Sequence, residues 1–418
     1  MKIGLYFNDK GFTHVDLRNP VEGNSGIGGT QYCFVMLADA LVRYTKHNII
    51  FYHFNDNILP NGVENRKIST YTDMLMQCEK DGIDIFIFKA EGITDFVRAL
   101  RKVSMDCVVW AHNYLWDREL NEFQNNPHIK RIVFVGREEY DRYIDHPMIG
   151  KMTYIYNMFD GRLFSYRPMP SVPAVTYTGS LVSAKGFHIL ANIWPQILKA
   201  VPEAQLYVIG NGQIYDRNAK LGSLGIADER YEKVFANAIT ENGALLPSVH
   251  FCGAMGKEKL EIYKKTTVGV MNPSGKTETF GLSAVEMEAC GIPVVTKAAN
   301  GLFDTVIDGK TGYLIRNKNQ LRDCVVELLQ DKQKNAFYGQ QAKAFADETF
   351  LPEVLVKQWE QLFVDIKKGQ AAEYIKPENH WQNNQKWMRV INRKLHDLKV
   401  PTPALIEVEC NIRKWIKK

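Results

Sequence analysis

The 418-residue sequence predicts an α/β protein of two doubly wound, Rossmann-like domains, closed by a helical tail. Three observations carry this. Short apolar runs alternate with amphipathic stretches, the pattern of parallel strands joined by crossover helices. The alternation occurs in two series, separated by the proline-rich stretch RPMPSVP at 167–173. A chain of 418 residues also exceeds what one hydrophobic core ordinarily serves.

In the first series KIGLYF (2–7), NIIFYHF (48–54), DIFIF (84–88), CVVWAH (107–112) and RIVFVG (131–136) read as buried strands. YCFVMLADALVRY (32–44) and TDFVRALRKV (94–103) have helical spacing between them. In the second series the strands are AVTYTG (174–179), QLYVIG (205–210), VHFCG (249–253), VGVMNP (268–273), PVVTK (293–297) and TGYLI (311–315). HILANIWPQILKAV (188–201) and SAVEMEACG (283–291) read as helices. The expected division is 1–165, 166–365 and a basic helical tail, 366–418. In the tail, Trp387, Met388, Ile391, Leu395 and Leu398 share one helical face; Leu405, Val408, Ile412, Trp415 and Ile416 share another. Those faces pack on the body, or they lie with the basic residues on an anionic membrane surface. The basic helix carrying Arg98, Arg101 and Lys102 reads as a solvated surface, with a membrane or acceptor role as the alternative.

Composition narrows the function. A net charge of +5 is small for this length and gives no nucleic-acid signature. Beyond Gln370 the chain holds ten Lys or Arg against five Asp or Glu, so much of the excess sits in the tail. Seven cysteines without a CxxC pair argue against a disulfide framework or a zinc site, and no secretion signal is evident at the start. The expected location is the cytoplasm, with a peripheral place on the inner face of a membrane as the extension.

The stretch SGKTETFGLSAVE (274–286) begins like the end of a P-loop, but that motif requires a glycine where Val270 stands. Strand, loop and helix succeed one another here instead. The helix ends at Gly291, before Pro293. Its start carries partial positive charge and unsatisfied N–H donors, so a phosphate fits over Thr279, Phe280, Gly281 and Leu282. Glu278 and Glu286 stand eight residues apart around it. Carboxylates there suit the diols of a ribose or a hexose, carried beside the phosphates. GNSGIGGTQ (23–31) departs from the dinucleotide fingerprint at Gln31. It reads either as a plain turn or as a loop in which Gly28 and Gly29 admit a ligand to a helix start. Crevices at the strand C-termini of the two domains are expected to face each other across a ligand.

The segment P-S-x(3)-E-x-F-G-L-x(3)-E-x(2)-A-C-G-x-P-V-V (273–295) resembles the E-x7-E motif of retaining glycosyltransferases with the GT-B architecture, most like the family 4 group. GGTQ (28–31), WAH (110–112), IYNMFDGRLF (155–164, with Asn157, Asp160 and Phe164) and GSLVSAKG (179–186) are similar to further family segments, in order. The resemblance covers roughly residues 1 to 365 and leaves the tail outside. It implies transfer of a sugar, with retained anomeric configuration, from a UDP- or GDP-sugar to a saccharide or lipid-linked acceptor. The setting it suggests is bacterial surface polysaccharide or glycolipid synthesis. The nucleotide-sugar is a co-substrate and no cofactor is implied. By resemblance Glu286 binds the ribose and Glu278 the donor sugar. The amides of Phe280, Gly281 and Leu282 meet the diphosphate, Lys185 neutralises it, and Gly28 and Gly29 pass close by. His112 touches the sugar near its reacting carbon. Gly210 to Gly212 and Gly253 to Met255 flank the base. Asn113, Tyr114 and Trp116 are the acceptor-side candidates. No Asp-x-Asp occurs, so no divalent requirement is expected.

One departure stands out. The family's glycine-arginine-leucine is Gly179-Ser180-Leu181 here. Either Lys276 or Lys297 supplies the missing cation, or the phosphate is held more loosely, or activity has been lost. Lys276 is preferred, being two residues before Glu278. The bland readings make His112 a core histidine, Lys185 a solvated lysine and Glu286 a surface helix residue. A nucleotide-sugar epimerase and a non-catalytic sugar-nucleotide-binding protein are the alternative functions.

Overall fold

The computed structural model describes residues 1–90, 94–163, 170–212 and 220–416. It divides into two units: Met1–Val21, Ile27–Met158 and Pro352–Lys418 form the first, and Glu22–Gly26 and Phe159–Leu351 the second. In the first, β1 (Lys2–Tyr6), β2 (Asn48–His53), β3 (Glu64–Lys67), β4 (Ile85–Lys89), β5 (Asp106–Ala111), β6 (Ile129–Phe134) and β7 (Met152–Tyr154) make one sheet. Its order is β3-β2-β1-β4-β5-β6-β7, parallel throughout. The apolar runs became its central strands because a parallel sheet is covered on both faces and tolerates few polar side chains. β3 was not expected: its sequence is ENRK, and it survives as an exposed edge where charge is tolerated and discourages further pairing. β7 has only three residues.

The second unit repeats the plan. β8 (Ala174–Thr178) and β9 (Gln205–Ile209) precede a two-stranded antiparallel ribbon, β10 (Thr240–Glu241) with β11 (Ala244–Leu245). β12 (Val249–Gly253), β13 (Val268–Met271), β14 (Val294–Lys297) and β15 (Gly312–Ile315) follow. The parallel sheet runs β12-β9-β8-β13-β14-β15. Chain direction across each sheet therefore reverses at one place, between β1 and β4 and between β8 and β13. Ligands of doubly wound folds sit beyond the strand C-termini at such a switch point.

The division differs from the expected one. The first unit ends at Met158 rather than 165, and the chain returns to it at Pro352. The expected boundary at 365 falls inside the helix Pro352–Lys367, which packs on the helix Gly29–Tyr44. Tyr44 donates to Glu353 at 3.0 Å, and the fully buried Trp359 meets Trp110 edge-on at 5.2 Å. Phe164 lies outside the described residues. The stretch 188–201 forms two helices, Phe187–Ala191 and Trp194–Ala200, with Pro195 seated in the first turn of the second, where its missing N–H breaks no bond. Arg98 and Arg101 share Glu122 at the surface.

The tail helices form where expected, as Lys386–Asp397 and Leu405–Ile416, but the first is mounted the other way round. The residues buried on the first are Lys386, Arg389 and Asn392. Lys386 pairs with Glu138 at 2.8 Å and Asp141 at 2.7 Å; Arg389 reaches Asp145 at 3.4 Å and also pairs with Glu409; Asn392 donates to Asp145 at 2.9 Å. Burial pushes the Asp141 carboxyl up to about 6, partly offset by Lys386. Most of the apolar residues read from the sequence point away from this cluster: Trp387, Met388 and Ile391 on the first helix, Leu398 just past its end, and Val408, Ile412, Trp415 and Ile416 on the second are exposed, while Leu395 and Leu405 are half-buried.

Glu288 is a further buried acid. It is fully enclosed on the helix Leu282–Ala289, and neither carboxylate oxygen meets a partner at hydrogen-bonding geometry. Burial raises its pKa well above the ordinary value, with Thr311 offsetting part of the effect. A raised folded value means that the carboxyl is no burden below its unfolded pKa of about 4.3, and destabilises increasingly as pH rises above it. Glu288→Met is therefore expected to raise stability by about 1–3 kcal/mol at pH 8, with the gain shrinking toward pH 4. Thermal melts of both proteins across that range check this; a gain that does not vary with pH would sink it.

Candidate active site

The residues singled out in the second unit converge at the β8/β13 switch point. β8 leads into the loop 179–186, which turns through a short 3-10 segment, Ser183–Lys185, and ends at Gly186. β13 leads into the loop 272–281. The two loops touch. A Cβ at Gly186, whose φ is +74°, would lie 2.6 Å from the Ser274 nitrogen, so only glycine permits this approach. Ser274 donates to the Ala184 carbonyl. The contact brings the Lys185 ammonium to 2.7 Å from Glu278 Oε2, both side chains being mostly buried. Asn272 donates to the same Glu278 oxygen at 3.0 Å and to the Lys276 carbonyl at 3.1 Å.

The loop that presents Glu278 is strained. Asn272 and Thr277 have φ of +38° and +55°, a region that a β-branched residue such as Thr277 rarely enters. Such strain persists only where the surroundings hold it. Asn300 does so by donating to the Gly275 carbonyl at 2.8 Å, and Gly301 N–H donates to the Glu278 carbonyl at 3.2 Å. Thr279 is half-buried and Phe280 buried, its ring edge-on to Phe350 at 5.5 Å. Gly281 and Leu282 open the helix Leu282–Ala289, and no side chain caps it. Its first N–H groups are the kind of donors that receive an anion.

Glu286 sits about one turn into this helix and is 3% exposed, so it is not a surface residue. Its Oε2 lies 2.6 Å from the Lys259 ammonium and 3.5 Å from the Tyr263 hydroxyl, which also meets the Thr178 hydroxyl at 3.3 Å. Sequence reading missed Lys259. A lysine in the amphipathic run KLEIY carries no signal that its partner stands 27 residues away. At the neighbouring strand end, a Cβ on Gly210 (φ +137°) would fall 2.0 Å from the Gly179 carbonyl oxygen, and its N–H donates to Gly253 at 2.7 Å.

Lys297 is turned aside, donating to the Arg316 carbonyl, which removes one of the two expected substitutes for the missing arginine. Lys276 is exposed and lies near enough to His188 to add to the burial that lowers that ring's pKa. It forms no ion pair among the described residues. Ser180 is buried.

The remaining candidates belong to the first unit. Gly28 is the N-cap residue of the helix Gly29–Tyr44, and a Cβ at Gly29 would meet nothing within 4 Å. His112 follows β5 and is 8% exposed, 4.5 Å from the Trp110 ring. Burial, and secondarily the charge of Lys89, push its pKa down to about 3, so the imidazole is neutral at pH 7. Asn113 is exposed, while Tyr114 and Trp116 are half-buried. The Arg142 guanidinium lies 4.9 Å and 5.5 Å from their ring centres, and that of Arg413 lies 4.2 Å from Trp116.

Two parallel sheets of the same winding, each with one switch point, are the plan of the GT-B fold. Comparison with solved structures agrees. The fold matches sucrose-phosphate synthase from Thermosynechococcus elongatus with a TM-score of 0.68, at 18% identity over 88% of this chain and 100% of that one. It matches Anabaena Alr3699/HepE in complex with UDP-glucose at 0.65, with 18% identity over 87% of this chain and 100% of that one. Residues 172–331, all within the second unit, match the family described as Glycosyl transferases group 1. A GDP-mannose-dependent alpha-(1-6)-phosphatidylinositol monomannoside mannosyltransferase of Mycolicibacterium smegmatis is 29% identical over 170 residues, 40% of this chain and 41% of the relative. Sulfoquinovosyl transferase SQD2 of Arabidopsis thaliana is 29% identical over 180 residues, 42% and 30% respectively. The matched stretch thus spans less than half the length of either curated relative.

Proposed function

We propose that this protein is a retaining glycosyltransferase that moves a sugar from a nucleoside-diphosphate sugar to a saccharide or lipid-linked acceptor, without a divalent metal or another cofactor. The observation that carries the reading is the Lys185–Glu278 pair at the β8/β13 switch point, on loops that also present the uncapped start of the helix bearing Glu286. Departure of a nucleoside diphosphate concentrates negative charge on its phosphates. Preorganised positive groups in a water-poor site lower that barrier more than solvated ones do. Lys185 and the amides of Phe280, Gly281 and Leu282 fill this role in the proposal, with Lys276 as the further cation. Glu278 accepts hydrogen bonds from the sugar and Glu286 from the ribose. His112, held neutral, meets the sugar without adding charge. Gly210 approaches the base through its backbone, and Gly28 and Gly29 leave room beside the phosphates. The acceptor is assigned to Asn113, Tyr114 and Trp116. Bacterial surface polysaccharide or glycolipid synthesis in the cytoplasm is the proposed setting. No helix among the described residues is long and apolar enough to cross a membrane.

The test is thermal stability with UDP, GDP, ADP, CDP, dTDP and NAD, each in EDTA, for the wild type and Glu286→Gln. One diphosphate at about 100 times its dissociation constant is expected to stabilise the wild type by about 2.7 kcal/mol, and the variant much less. No shift with any of them would overturn the donor site. A shift that appears only when magnesium replaces EDTA would overturn metal independence.

A further inference from the structure

We infer that the C-terminal helices Lys386–Asp397 and Leu405–Ile416 form a docking face for an anionic lipid surface. The inference stands on their orientation and does not depend on the donor reading. An amphipathic helix on a globular body ordinarily turns its apolar stripe inward. The first helix does the reverse, and the second buries a short apolar edge while leaving a further apolar stripe outside. Lys386 and Arg389 are fully buried among Glu138, Asp141, Asp145 and Glu409, which fixes the first helix with its polar side down. On the second, Ile406 and Cys410 are buried and the stripe opposite them is not. Trp387 and Ile391 on one helix, Leu398 at its C-terminal cap, and Ile412, Trp415 and Ile416 on the other helix are left exposed; Leu398 is 74% and Trp415 79% exposed.

Charge identifies the occupant. Lys394 and Lys399 adjoin the first stripe and Lys414 the second. All three are exposed and form no ion pair among the described residues. Three of the five tail acids are already engaged: Glu378 with Arg137, Asp397 with Arg393, and Glu409 with Arg142 and Arg389. The face therefore combines large apolar and indole side chains with uncompensated cations, the composition of a helix seated at the boundary of headgroups and acyl chains. A second copy meeting the same face across a two-fold axis would set these cations against themselves. An anionic bilayer reverses that sign. Because Arg413, on the same helix, covers Trp116, docking here would bring lipid beside the loop assigned to the acceptor.

The experiment is co-sedimentation of the full chain with vesicles of phosphatidylcholine alone, or with about one third phosphatidylglycerol. The wild type is expected to pellet with the anionic vesicles only, and less so at high salt. Trp387→Ser/Trp415→Ser and Lys394→Glu/Lys399→Glu/Lys414→Glu are each expected to lower partitioning at least tenfold. All five side chains are exposed, so thermal melts should stay near wild type. Absence of wild-type binding, equal binding to both vesicles, or undiminished binding by either variant overturns the inference. So does a wild-type dimer in sedimentation velocity that Trp387→Ser/Trp415→Ser dissolves, because the face would then be an interface between copies.

Discussion

Lys185→Ala is expected to lower the transfer rate about 100- to 1,000-fold, the usual loss when one preorganised charge-stabilising group is removed. Two effects combine in this variant. The developing phosphate charge loses its cation. Glu278, which the ammonium meets at 2.7 Å, also loses its counter-ion beside the incoming diphosphate. The second effect is repulsion and can be relieved separately. Adding Glu278→Gln to Lys185→Ala should recover donor affinity in part while leaving the rate low, because the glutamine repels nothing but restores no cation. Steady-state kinetics with the donor identified by thermal shift separates the two effects. A loss below about tenfold would return Lys185 to the status of a solvated lysine. Failure of Glu278→Gln to improve affinity would mean that the carboxylate does not face the phosphates.

Lys259→Met is expected to destabilise the fold by about 3–5 kcal/mol, because it leaves the Glu286 carboxylate buried without its counter-ion. Both side chains of this pair are less than a tenth exposed, so solvent does little to screen the loss. Replacing both members changes the sign of the argument. Lys259→Met/Glu286→Met removes two charges from an apolar setting and should recover most of the stability, although it forfeits the ribose ligand. Urea unfolding of the two variants measures the difference. If the double variant is as unstable as the single one, the pair is not what sets the loss, and packing around Tyr263 becomes the explanation.

The strands were legible where they are buried on both faces, since continuous apolar runs bounded by glycine and proline have few other uses in a chain of this composition. β3 was not legible, because an edge strand such as ENRK is written in the residues of a loop. The turning point of the site was readable as well. Glu278, Gly281 and Glu286 lie on one strand–loop–helix unit, so sequence spacing nearly sets spatial spacing there. Lys259 escaped because its partner comes from another element. The tail shows a different limit. The periodicity of Trp387, Ile391 and Leu398 announced a helix and its face but not which way that face would turn. Only the acids at 138, 141 and 145, placed on one surface by the first unit's own fold, decide that Lys386 and Arg389 go inward.

The path of the chain also governs the order in which the protein can be completed during synthesis. All seven strands of the first sheet leave the ribosome before any strand of the second. The first unit nonetheless receives its final segment, Pro352–Lys418, only after the second has been made. Until then the side of Gly29–Tyr44 that Pro352–Lys367 covers stays open to water, Trp110 lacks Trp359, and Glu138, Asp141 and Asp145 wait without their cations. Domains of most multidomain proteins mature from the N-terminus onward. Here the later-made unit can close as a nearly continuous stretch, while the earlier-made one persists as a nascent-chain intermediate with an apolar helix face uncovered, the kind of surface that ribosome-associated chaperones shield.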